Sequence, residues 1–186
     1  MTDYKPWEEY PHIWKTEGAY LSFVRGGIRR YLWSKNPVKL EFEKEVTVKI
    51  PNTNAASKKR FPMVNGYRCA SCDGLFKAKE VQCDHKVGEH SLRSLDDIQS
   101  FVKGIVMVRK EDLQMLCKYC HEVKTYAERE GLTFNEAIPH KRAIDLEKKG
   151  TKKVVDFLKK VGYTSPGKNK DIRREQLVEH YRKEQQ

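Results

Sequence analysis

Two pairs of cysteines carry the clearest chemistry in this sequence. Cys69-Ala-Ser-Cys72 and Cys117-Lys-Tyr-Cys120 each leave two residues between their thiols. That gap lets a pair close on one ion, and two such pairs supply the four thiolates of a tetrahedral zinc site. Between them lies Asp84-His85, and His121 follows the last cysteine directly. A four-thiolate site is already full, so these three residues are not surplus zinc ligands. A carboxylate and imidazoles suit a second ion such as Mg²⁺. The expectation is therefore a structural Zn²⁺ beside a catalytic divalent ion. Disulfides are the rival use of paired cysteines. The spacing, together with a start unlike a signal peptide, favours zinc and a reducing, cytoplasmic setting. Cys83, the fifth cysteine, reads as a small buried hydrophobe.

The elements that must hold these residues are legible from periodicity and punctuation. Residues 1 to 16 show little period and read as an irregular, partly anchored lead. From Glu17 to Ser34 the apolar positions Tyr20, Phe23, Val24, Ile28, Tyr31 and Leu32 recur near helical spacing, with Arg25, Arg29 and Arg30 off that stripe. Asn36-Pro37 breaks the chain and opens a second helix to about Glu45. Residues 51 to 60 are turn formers with no apolar period and read as a flexible basic loop. Tyr67 to Phe76 forms a knuckle around the first cysteine pair, turning at Asp73-Gly74. Glu80 to His85 is a strand that ends on the Asp-His pair, and Leu113 to Leu116 is a second. An inserted helix lies between them, over residues 95 to about 104. A helix near Lys118 carries His121, and Thr133-Phe-Asn-Glu136 is a capping box for the next one, which Pro139 is expected to kink or delay. Two further helices are predicted over Thr151–Val161 and Asp171–Lys183. The last two, joined by a Gly-containing loop, look loosely like small helix-loop-helix DNA-binding modules of the SAP type. A plain helical cap is the simpler reading.

The combination Val81-Gln-Cys-Asp84-His85, Asp112-Leu-Gln-Met-Leu-Cys117-Lys-Tyr-Cys120-His121 and Lys124-Thr125 closely resembles the HNH endonucleases, the ββα-metal nucleases. It is most similar to phage-type members with a four-cysteine zinc site, and the match covers about residues 65 to 130. The resemblance implies an α+β fold: a small ββα-metal core with a zinc knuckle, wrapped by N- and C-terminal helices. It also implies a metal-dependent DNA endonuclease or nickase that hydrolyses phosphodiester bonds, encoded by a phage or mobile element. Under it, Asp84 and His121 hold the catalytic ion while His85 takes a proton from the attacking water. Lys124, one turn beyond His121, would reach a phosphate oxygen. Family members carry Asn where this chain has Asp112. There the amide braces the loop bearing the general base, and a carboxylate lacks its donor. His90 is placed in a polar turn, while His12, His140 and His180 fall outside the motif and read as surface or packing residues.

Charge distribution says what the flanks are for. The net charge is +11, yet residues 69 to 130 carry ten basic against eleven acidic side chains. The excess lies outside: Arg25, Arg29, Arg30 and Lys35 in one stretch, and Lys58, Lys59, Arg60 and Arg68 in another, both without acids. A neutral chemical centre between basic arms predicts that the arms bind phosphates. The division expected is a basic helical arm and loop over residues 1–60, a nuclease core over 61–132, and a helical segment over 133–186 with a possible DNA-binding role. The expected partner is duplex DNA, along with proteins encoded by the same element, and no membrane, because no apolar run approaches about 20 residues. Two other classes remain open at this point. One is a non-catalytic zinc-dependent nucleic-acid-binding protein. The other is an RNA-directed nuclease, whose single-stranded substrate would stack on Tyr4, Trp7, Tyr10 and Trp14.

Overall fold

A computed structural model describes residues 4–88 and 91–185. They are mixed helix and sheet, in two compact units that divide between Cys117 and Lys118. His90 lies outside the described residues. Among the described residues no helix is long and apolar enough to cross a membrane.

The first unit begins with a short helix, α1 (Pro6–Glu9), and then α2 (Glu17–Ile28). Thr16 caps α2 by accepting the Ala19 N–H at 3.2 Å. The lead is anchored by its aromatics: Trp7 and Trp14 both pack on Tyr20, and Trp14 also packs on Phe23. At its end α2 widens into a π-helical turn, Arg29–Trp33. This corrects the expected apolar stripe. A regular helix would bring Tyr31 and Leu32 to the core after Tyr20, Val24 and Ile28. The widened turn shifts the register by about one residue, so Trp33 takes the inward position. Tyr31 and Leu32 are left 61% and 45% exposed. Helix α3 (Pro37–Glu45) follows as expected. It starts at Asn36, whose Oδ1 accepts the N–H groups of Val38 and Lys39.

Strands β1 (Val48–Pro51), β2 (Met63–Arg68) and β3 (Leu75–Lys77) form an antiparallel sheet in that order. Gly66, on the central strand, pairs with both β1 and β3: a Cβ there would lie 2.6 Å from the Phe76 carbonyl oxygen. The basic stretch predicted to be flexible is the connection from β1 to β2, and it is folded around one buried side chain. Asn52 donates to Ser57 Oγ and the Phe61 carbonyl and accepts the Asn54 N–H. Lys58, Lys59 and Arg60 are exposed at the tip.

Strands β4 (Val81–His85) and β5 (Leu113–Cys117) pair antiparallel, with α4 (Ile98–Val106) inserted between them. Alternation along β4 turns Val81 and Cys83 to the core. They pack with Leu113, Met115, Phe42, Tyr67 and Phe76. A second cluster gathers Leu21, Leu92, Phe101 and Ile105. Trp33 touches both clusters.

The second unit is helical: α5 (Lys118–Glu130), α6 (Phe134–Glu147), α7 (Thr151–Lys160) and α8 (Lys170–Lys183). The predicted capping box is present, with Thr133 Oγ1 accepting the Glu136 N–H and Glu136 accepting the Thr133 N–H. Helix α6 runs through Pro139, which is neither its start nor its end. Ala143, Val154, Leu158, Leu177, Val178 and Tyr181 make its main core.

Candidate metal centre

The knuckle is built from backbone hydrogen bonds before any ion is considered. The hairpin of β2 and β3 pairs Arg68 with Leu75 and leaves Cys69–Gly74 as its tip. Asp73 adopts φ 56°, the left-handed conformation that aspartate tolerates in tight turns. Cys69 donates its N–H to the Gly74 carbonyl at 2.9 Å, and Asp73 donates to the Cys69 carbonyl at 3.0 Å. The tip is tied to β5 where Ala70 donates to the Met115 carbonyl at 2.8 Å. This bond brings the first cysteine pair to the end of β5, where Cys117 stands.

The four thiol sulfurs of Cys69, Cys72, Cys117 and Cys120 lie within 4.8 Å of one another. Tetrahedral ligands about 2.3 Å from zinc stand a little under 4 Å apart, so the cluster is of the right size. No cysteine is in a disulfide. Cys69, Cys117 and Cys120 are buried and Cys72 is exposed. Burial pushes the Cys69 thiol up. The N–H groups of Cys117, Cys72 and Ser71 more than offset that and bring it from 9.0 to about 7. The Cys117 N–H points at Cys69 Sγ from 3.3 Å. Donors aimed at sulfur stabilise thiolate, the form that binds metal. The residues fit a structural Zn²⁺.

Asp84 and His85 close β4 at the opposite end of the hairpin. Val81 pairs with Cys117 and His85 with Leu113, so four strand steps, about 13 Å, separate the Asp-His end from the thiol end. Both side chains are half-buried. Trp33 stacks on the His85 ring at 4.5 Å and 25°, and the His85 carbonyl accepts from the Gln114 amide at 3.3 Å. A cleft of about 670 Å³ opens at His85, lined also by Lys86, Lys103, Ser100, Met107 and Asp112.

Asp112 occupies the loop that leads into β5. Its Oδ2 accepts the Arg109 N–H at 3.1 Å, and its carbonyl accepts the Lys86 N–H at 2.7 Å. The second bond grips the residue that follows His85. The carboxylate therefore orders its own turn as an acceptor, and the backbone of that turn holds the end of β4.

The other candidates are distributed as follows. His121 is the fourth residue of α5, next to Cys120. Lys124 pairs with Glu128 on the same helix at 2.5 Å. Arg25 donates to the Leu92 carbonyl at 3.3 Å and so serves the fold, whereas Arg29 and Arg30 are exposed. Although Arg29 is exposed as a residue, crowding around its guanidinium and the Arg25 charge push that group below its usual value, while Asp84 pulls it back up. Burial pushes the Cys83 thiol up to about 12, as suits an inert core residue. His140 stacks on Tyr126, and His180 pairs with Glu184 at 3.1 Å, both packing roles. Sequence reasoning missed Trp33, and the signal was there: an indole just ahead of the Asn36-Pro37 break, one step off the helical stripe. No protein-family model, curated protein or solved structure matches the chain.

Proposed function

We propose that this protein is a metal-dependent HNH-type endonuclease that cuts or nicks DNA, encoded by a phage or a mobile element. The observation that carries the reading is the β4–β5 hairpin. One end holds the thiol cluster, from which α5 and His121 issue directly, and the other end places His85, next to Asp84, at an open cleft lined by Lys86 and Lys103 as well as Glu111 and Asp112. The zinc fixes the start of α5, and His121 is covalently next to one of its ligands, so a small scaffold gains a pre-positioned imidazole.

In this reading Asp84 and His121 hold a divalent ion such as Mg²⁺, which when bound offsets the charge of the phosphate and the leaving oxygen. His85 takes the proton of the attacking water. The water oxygen bonds to phosphorus as the bond to the leaving sugar oxygen breaks. Lys86 and Lys103 attract the phosphate into the cleft. Arg29, Arg30 and the Lys58-Lys59-Arg60 tip hold the flanking backbone, with duplex DNA as the substrate.

The test is end-labelled duplex DNA, single-stranded DNA and RNA incubated with zinc-loaded protein, with and without Mg²⁺. Mg²⁺-dependent cutting of the duplex is expected. Binding of all three without cutting would replace the enzyme by a zinc-dependent nucleic-acid-binding protein, and cutting of RNA alone would replace the substrate.

A further inference from the structure

The N-terminal helix does more than supply positive charge. Its last turn, Arg29–Trp33, is π-helical, with the Ser34 N–H bonded to the Arg29 carbonyl at 3.1 Å. Such turns are rare and are found frequently at functional sites. Here the turn delivers the Trp33 indole onto the His85 imidazole, centroids 4.5 Å apart and planes 25° from parallel.

The indole is itself fixed. It packs into both core clusters of its unit. The Lys39 ammonium lies 5.7 Å from its ring centre on one side and is held by Glu43 at 2.7 Å. Three residues on, buried Asn36 caps α3 and donates to the Val106 carbonyl at 3.0 Å. An imidazole at the last residue of a strand would otherwise turn about its side-chain bonds. A fixed aromatic plane against one face removes that freedom.

We propose that Trp33 is a positioning residue for His85, so that the π turn of the N-terminal helix is part of the active site. The inference rests on the nuclease reading and adds to it a residue outside the stretch from about 65 to 130 that the motifs cover.

Two variants test it: Trp33→Phe, which keeps an aromatic plane, and Trp33→Leu, which keeps much of the volume without one. Zinc content and thermal melting establish that each is folded. Proton NMR of the zinc-loaded protein reads the His85 ring protons, which a stacked indole shifts upfield. Trp33→Leu is expected to lose that shift and to lower kcat by roughly 10- to 100-fold with KM nearly unchanged, the cost of a misplaced base. Trp33→Phe is expected to retain most of both. A folded Leu variant with wild-type kcat would overturn the proposal, as would equal losses in both variants. A wild type that cuts no substrate yet shows the shifted ring protons would instead sink the nuclease reading, and the positioning role with it.

Discussion

Asp112 is where this chain departs from the pattern it resembles, and its contacts say what the departure does. One carboxylate oxygen accepts the Arg109 N–H, while the residue's carbonyl grips Lys86, next to His85. Acceptance needs no donor, so a carboxylate replaces an amide here at little cost. Asp112→Asn keeps an acceptor and removes a negative charge from the wall of the cleft. It is expected to hold or raise the cleavage rate. Asp112→Ala removes the acceptor, loosens the turn by about 1 kcal/mol, and is expected to lower the rate by roughly 10-fold or more through the misplaced base. Cleavage rate against Mg²⁺ concentration for all three proteins checks this. A loss in the Asn variant that extra metal rescues would make Asp112 an ion ligand instead of a brace. The cysteines show the opposite situation. Their chemistry is local, a two-residue gap repeated, and the thiol cluster could be anticipated without any knowledge of the fold.

Elements were legible where their signals were short-range and obscure where one distant side chain decides. The capping box at Thr133, the Asn36-Pro37 break and the strand ending in Asp84-His85 all appear as read. Strand β1 did not, because four residues separated from their partner by an eleven-residue polar connection carry no hairpin signature. That connection reads as flexible from its Asn, Ser and Lys content, yet the buried amide of Asn52 organises it. The π turn was invisible because helical periodicity assumes an even register, and the Trp33–His85 contact spans 52 positions. Asn36 is the strongest element-level prediction. It is 5% exposed, caps α3 through Oδ1 and binds the Val106 carbonyl through Nδ2. Asn36→Ala should destabilise the first unit by about 2 kcal/mol, the sum of a lost cap and an unmet buried carbonyl. Asn36→Asp should keep the cap and lose the second bond. Urea unfolding followed by tryptophan fluorescence reads both, and an unchanged midpoint in the Ala variant would refute the role.

At the scale of the molecule, a near-neutral motif sits between basic flanks, which separates affinity from chemistry. Counterion release makes log affinity fall with log salt by about 0.9 per phosphate neutralised on duplex DNA. Replacing Lys58, Lys59 and Arg60 together should therefore flatten that slope by up to about 3 while leaving the cleavage rate at saturation intact. An unchanged slope would move the phosphate-binding surface elsewhere. The same separation gives the most direct test of the central claim, that His85 is the general base of a nuclease. Zinc-loaded wild type and His85→Ala are compared on one labelled duplex, with cutting measured at saturating protein and affinity by titration without Mg²⁺. The account predicts cutting reduced by at least about 100-fold with affinity within about twofold of wild type, since a base acts in the transition state. Wild-type cutting by His85→Ala would contradict it.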